Sequence, residues 1–287
     1  LLGLSPRQVV SDGKKGCANA SAALVKAVIS MRLIKEDCEI EEIDKACDIT
    51  YEMHTAARRG CRAGVPEQEL VGRMEGVTLS KGWGTSFSTI LSQHGETLHN
   101  PWHNAVLEDG KLLLVDAGAE NNMHYAGDFT RTFPVSGKFT SKQKDIYNIV
   151  LSCNELAFEM AGPGKTYAGI SRAVALNMLE GLKWLGLVEG NTGDMLEADV
   201  TGLFMPHGLG HNMGLDVHDM EDFGENLVGY DPDQTRSPLL GLGSLRMARE
   251  LRPGHVFTDE PGIYFIPALI EHYRKNGIGK DFIRFDK

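Results

Sequence analysis

Apolar residues recur at helical spacing along residues 39–59, at Ile40, Ile43, Ala46, Cys47, Ile49 and Tyr51, and Gly60 is placed to stop the run. The alanine-rich stretch Ala18 to Leu33 predicts a helix before it. Val65-Pro66-Glu67 opens a third, with proline at a tolerated first-turn position. From Gly82 to Gln93 the residues turn small, β-branched and aromatic, which predicts a strand. A loop with His94, His99 and His103 follows. Thr140-Ser141 caps a helix predicted over Lys142 to Met160, Pro163-Gly164 breaks the chain, and Tyr167 to Leu185 predicts another helix. From Gly210 the chain is rich in glycine and histidine. Strand-like pieces return at Val256–Phe265 and Phe282–Phe285. Residues 1–15, with Ser5-Pro6 and Ser11-Asp12-Gly13, read as a linker. Helices before one acidic segment, then helices before a second, predict two related halves in an α+β fold.

The first acidic segment is Leu112 to Pro134, LLLVDAGAENNMHYAGDFTRTFP. It reads as two strands around the polar turn Glu120-Asn121-Asn122. With the turn centred on Asn122, Asp116 and Asp128 fall opposite each other, their Cβ atoms about 5 Å apart. Two buried carboxylates at that spacing cannot both stay ionised without a partner. Either one is protonated or cations sit between them, and two metal ions in a shared site lie roughly 3.5–4 Å apart. On this segment alone a solvated turn with two incidental acids is equally open.

Composition narrows the partners. The chain has 287 residues, 42% hydrophobic and 24% charged, which is ordinary globular composition. Its net charge of −10, with no long basic run, argues against nucleic acid or an anionic membrane surface. No apolar run is long enough to span a bilayer, and the N-terminal residues lack a charged-then-apolar signal pattern. The cysteines (Cys17, Cys38, Cys47, Cys61 and Cys153) are scattered, odd in number and form no CxxC. They predict small buried residues with free thiols in a reducing cytoplasm.

Three further motifs carry chemistry. PHGLGHNMGLDVHD, Pro206 to Asp219, holds His207, His211 and His218; its proline and glycines disfavour a helix, so an extended path presents the imidazoles separately. Thr258 to Tyr264 holds Glu260, kept extended by Pro261, as a candidate ligand or proton carrier; alone it is equally a turn acid at a strand end. In Ile283-Arg284-Phe285-Asp286, Arg284 and Asp286 share a face by alternation, which also suits an exposed salt-bridged strand. Carboxylates with one imidazole and no thiolate suit Mn²⁺, Fe²⁺, Co²⁺ or Zn²⁺.

This ordered set resembles the metallopeptidases of the pita-bread fold, which include methionine aminopeptidase, aminopeptidase P and prolidase. The resemblance runs from about Asp12 to the end. FMPHGLGHNMGLDVHD and GLGSLRMARELRPG before TDEPGIYF are most similar to prolidase, with aminopeptidase P second. It implies two pseudo-symmetric halves with a curved mixed sheet covered by helices, residues 16–287 forming the catalytic domain. It implies that Asp116, Asp128, His211, Glu260 and Asp286 hold two divalent metals, Mn²⁺ first. His218, Glu260 and His207 are then catalytic; His99, His207, His218, Arg246 and Arg284 contact substrate, with Arg246 reading its free carboxylate. The implied reaction is hydrolysis of Xaa-Pro dipeptides, with Xaa-Pro aminopeptidase as the alternative and a homodimer as the full-length assembly. A metal-free binding module of the same fold is a further alternative, against which four unchanged ligand positions argue.

The sequence departs from the family in three ways. Asp286 stands where the family has glutamate, Asp259 stands where valine precedes the EPG glutamate, and the chain ends where relatives continue, without the N-terminal domain prolidases carry. A catalytic-domain fragment of a longer chain is expected.

Overall fold

A computed structural model describes residues 21–287; the linker expected over residues 1–15 and the start of the first helix lie outside the described residues. The helices are α1 (Ala22–Leu33), α2 (Asp37–Gly60), α3 (Glu67–Lys81), α4 (Ser141–Met160), α5 (Tyr167–Trp184), the short α6 (Thr192–Glu197), α7 (Val200–Phe204), α8 (Glu225–Gly229) and α9 (Leu240–Gly243), and α10 (Pro267–Asn276). The strands are β1 (Gly84–Thr85), β2 (Ile90–Ser92), β3 (Leu112–Ala117), β4 (Ala119–Glu120) and β5 (Phe129–Pro134). This is the expected α+β class.

The periodicity finds the helices but places some faces and ends differently. In α2 the buried stripe is Ile43, Ala46, Thr50, Met53, His54 and Ala57. Tyr51 lies off that stripe and is exposed. Pro66 is the cap before α3 rather than its first residue. For α4 the threonine signal holds: Thr140 Oγ1 accepts from the Gln143 amide, and Gln143 Oε1 accepts from the Thr140 amide. The strand expected over Gly82–Gln93 is two short ones, β1 and β2, in different sheets.

Two halves repeat one device. Gly64 and Gly164 both take left-handed φ, +86° and +80°, in the turn before a helix. Gly64 N donates to Leu107 O at 2.8 Å and Leu107 N to Val65 O at 2.9 Å; Gly164 N donates to Leu251 O at 3.0 Å and Leu251 N to Lys165 O at 2.7 Å. Glu67 N to Ala105 O and Tyr167 N to Arg249 O continue the match. In each half a helix hairpin, α2–α3 or α4–α5, thus enters over the same ribbon contact. Each half also has its own apolar core, one around Met53, Leu70, Met74, Leu113 and Val115, the other around Ile170, Met178, Leu179, Leu182 and Leu203.

β3 alternates strictly. Leu113, Val115 and Ala117 are fully buried in the first core, so Leu114 and Asp116 face the other way. Burying the Leu113 and Val115 side chains stabilises this strand by roughly 1.5–3 kcal/mol each, which leaves Asp116 no choice of face. The register of the acidic hairpin differs from expectation. β3 pairs β5 with Asp116 opposite Thr130, and Glu120 bridges Ala126, so the turn centres on Met123. Asn121 sets that centre: buried, its Oδ1 accepts from the Met123 and Tyr125 amides, and its Nδ2 donates to Glu42 O. A one-residue shift of the centre moves pairing by two, so Asp128 is a diagonal neighbour of Asp116 on the same face rather than its direct partner.

The strand-like pieces of the second half pair without long ladders. Residues 209–213 run antiparallel to 256–260 through a bridge at Asn212 and Phe257, with Glu260 N donating to Leu209 O and Met213 N to Val256 O. Residues 282–284 lie along 187–189.

Candidate metal centre

Four of the residues singled out in the sequence converge. β3 delivers Asp116, the residue just before β5 is Asp128, and the 209–213/256–260 ribbon delivers His211 and Glu260. His211 Nε2 lies 3.3 Å from Asp128 Oδ2 and 3.3 Å from Glu260 Oε1. Its Nδ1 donates to Asn212 O at 3.0 Å, which leaves Nε2 facing the acids. Thr258 fixes the ribbon locally: its Oγ1 accepts from the His211 amide and donates to Glu260 Oε1 at 2.8 Å.

The charges of this group act on one another. Burial, reinforced by Asp128 and Glu260, pushes the Asp116 carboxyl up to about 7, against a hydrogen bond from Thr130. Burial likewise raises Glu260, partly offset by His211. Burial works against a charge on His211, but its bond to Asp128 and the charges of Glu260 and Asp128 outweigh it, and its pKa rises. Three carboxylates held this way repel one another unless protons or cations intervene. The donor set fits a hard or borderline divalent cation, which would relieve that repulsion. Among the described residues no group of three or more His, Cys, Asp and Glu side chains is already set to hold a metal ion.

Asp286 is not brought to this group. The chain end follows the 187–189 segment, where Arg284 pairs with Glu189 on an exposed surface. Asp286 is exposed and lines a recess with Lys183, Val188 and Glu189. Arg284 is likewise engaged away from the four converging residues. Residues 285–286 form a turn, with Lys287 N donating to Arg284 O at 3.1 Å, so the strand alternation expected for Arg284 and Asp286 does not hold, and the segment's partner was not written locally. Asp259 turns away from Glu260 toward α4, where Asn154 Nδ2 donates to its Oδ2 at 2.8 Å. Its Oδ1 is buried without a partner, and burial, then Glu260, pushes its carboxyl up to about 7.

The histidines line the same site. His218 packs edge-on against His211, ring centroids 4.2 Å apart. Arg246 NH1 donates to His218 Nδ1 at 3.0 Å and to Glu221 Oε2 at 2.5 Å. Because the guanidinium can only donate, Nδ1 must accept and Nε2 carries the ring proton. Burial, with the charges of His211 and Arg246, pushes His218 down to about 4, so the ring is neutral near pH 7. His207 Nδ1 donates to Gly208 O at 2.8 Å, and its Nε2 is buried with no partner. Burial lowers its pKa, and His99 adds to the effect. His99 is exposed, at φ +52°, and its charge also bears on His218.

Sequence reading missed Glu221, Thr130 and Tyr264 as site residues. Tyr264 stacks edge-on over His207 at 5.3 Å, and burial with the charges of Asp116 and Glu260 raises its phenol. Tyr264 stands in the quoted TDEPGIY run, so a signal existed. Glu221 had none, because its role depends on Arg246 arriving from a distant loop.

A repeated helix-hairpin frame with an acid–imidazole cluster where the halves meet is the plan of a pita-bread metallopeptidase. The model of metallopeptidase family M24 matches residues 41–285, and the chain belongs to that family. It is 36% identical to the Xaa-Pro aminopeptidase of Escherichia coli K12, over 88% of this chain and 53% of that one. It is 35% identical to the Xaa-Pro dipeptidase of Rattus norvegicus, over 93% of this chain and 57% of that one. The Zn-substituted E. coli aminopeptidase P in complex with product superposes with a TM-score of 0.71 at 34% identity, covering 85% of this chain and 52% of that one. The chain thus spans about half the length of the curated relatives it matches.

Proposed function

We propose that residues 16–287 are the catalytic domain of a two-metal Xaa-Pro peptidase whose preferred substrate is a dipeptide. The observation that carries this is the approach of Asp128 and Glu260 to His211 Nε2, with the Asp116 carboxyl buried within reach of the charges of all three. These four would hold the cations, and Mn²⁺ suits mostly oxygen donors with one imidazole. When bound, divalent cations supply Lewis-acid polarisation of the scissile carbonyl and make a water more acidic.

The chain's own residues do the rest. His218 presents Nε2–H, a donor for the carbonyl oxygen as it gains negative charge. Glu260, its carboxyl pKa raised, carries the proton to the leaving proline nitrogen. Arg246 commits NH1 to His218 and Glu221 but stays 39% exposed, so its remaining donors can take a substrate carboxylate. His207 and His99 flank the substrate. A peptide bond to proline has no N–H, so a site that asks for none there accepts it. Relatives named Xaa-Pro dipeptidase and Xaa-Pro aminopeptidase, at similar identity, support the bond specificity. A reducing cytoplasm fits the free thiols of Cys38, Cys47, Cys61 and Cys153, and no described helix is long and apolar enough to cross a membrane.

The test is turnover by the Mn²⁺-loaded protein of Ala-Pro against Ala-Pro-Ala. Preference for the dipeptide is expected; preference for the tripeptide moves the reading to aminopeptidase P. No turnover of either, with no bound metal, sinks both in favour of a binding module.

A further inference from the structure

The family match begins at residue 41, yet two cations that reach the site's edge lie before it. Lys35 and Asp219 form an ion pair at 2.8 Å with side chains only 2% and 1% exposed. Arg32, at the end of α1, reaches the other Asp219 oxygen at 2.6 Å and also Asp216 at 3.3 Å. Asp219 directly follows His218.

The surroundings make this a clamp on that segment. The Asp219 amide donates to Asn212 O at 2.9 Å, tying it beside the His211 ribbon. Gly214 lets the pair close, since a Cβ there would stand 2.7 Å from Asp219 Oδ2 and 2.9 Å from Lys35 Cε. Lys35 is itself anchored, its amide donating to Gly254 O at 2.8 Å. The next residue, Met220, is buried against Ile29 and Leu33 of α1. Helix α1 therefore grips residues 219 and 220 by charge and by apolar contact. Without both cations a buried carboxylate would stand unpaired, to be relieved by taking up a proton or by turning Asp219 toward water, and in either case the charged tether on the segment is lost. Such a turn would carry His218 off Arg246.

We propose that Asp219, neutralised by Lys35 and Arg32, is a positioning residue that aims His218, which makes residues 32–35 a working part of the catalytic site. The proposal rests on the peptidase reading for its kinetic consequence but not for its structural one. The clamp holds the Arg246–His218 hydrogen bond in register, and through it the protonation of Nε2.

Long-range proton–nitrogen NMR of labelled histidine rings, with Zn²⁺ present, reads the His218 tautomer without turnover. The parent protein should show a single Nε2–H form. Lys35→Met/Asp219→Leu replaces the pair with apolar groups, a change that buried pairs often tolerate. It should fold, bind Mn²⁺ as the parent does, and show mixed His218 tautomers. With Ala-Pro its KM should stay close to the parent's while kcat drops about tenfold or more. Asp219→Asn, nearly isosteric, should give the same tautomer result if the double variant fails to fold. A folded variant that keeps the single tautomer and the parent kcat overturns the proposal, as does a mixed tautomer in the parent. Absence of hydrolysis by the parent would remove the peptidase reading alone, because the tautomer result stands without it.

Discussion

Arg246 donates from NH1 to Nδ1 of His218 at 3.0 Å, and this one bond decides what the imidazole offers a substrate. A histidine that accepts at Nδ1 presents a proton at Nε2. Arg246→Met removes the donor that sets this and the guanidinium proposed to take the substrate carboxylate. The expected result is a fall in kcat/KM on Ala-Pro of about 10²-fold or more, with both kcat and KM affected. A variant with KM altered and kcat unchanged would show that Arg246 acts on binding only.

The convergence on His211 Nε2 makes a thermodynamic prediction that needs no substrate. A cation that binds only the folded chain stabilises it by about 2.7 kcal/mol at a hundredfold excess over Kd. Melting scans of the parent should therefore shift upward with Mn²⁺. His211→Ala should lose the shift together with all measurable Ala-Pro hydrolysis. An equal shift in the variant would place the bound cation elsewhere.

The ribbon that carries His211 and Glu260 depends on a close approach at Gly210. A Cβ there would stand 2.2 Å from Thr258 O and 2.8 Å from the Tyr167 hydroxyl. Neither can retreat easily: Thr258 N donates to His211 O, and the Tyr167 hydroxyl donates to Thr258 O at 2.7 Å. Gly210→Ala should cost about 1–3 kcal/mol in urea unfolding and weaken Mn²⁺ binding together. Loss of stability with unchanged metal affinity would separate the ribbon from the site.

His255 predicts an acid sensitivity unrelated to catalysis. Burial, with the charges of Lys35, Arg249 and Arg252, holds it down to about 4, and its Nε2 is buried without a partner. Above the ordinary histidine value of about 6.5 both folded and unfolded chains carry it neutral, and it costs nothing. As pH falls from there toward 4, the unfolded chain takes up the proton and the folded one does not, so stability is lost across that window. His255→Gln should flatten the parent's stability profile between pH 6.5 and 4, by on the order of 1–2 kcal/mol once solvent screening is allowed for. Parallel profiles for the two proteins would sink the assignment.

Much of this protein is written locally. Helical spacing placed α2, the Thr140 cap placed the start of α4, and the apolar run ending at Asp116 placed β3, because spacing, caps and runs are properties of neighbouring residues. The choice of Asp116, Asp128, His211 and Glu260 was also legible, since each sits in a short motif. What only the folded chain decided are pairings between segments far apart. Asn121 reaching Glu42 set the hairpin centre on Met123 and moved Asp128 to the diagonal of Asp116. The partner chosen by residues 282–284 took Asp286 and Arg284 away from the site. The protonation of His218 hangs on Arg246, and the burial of Asp219 on Lys35 from the far end of the chain. Charges and hydrogen-bond donors carry no period along a sequence, so their partners are settled by packing alone.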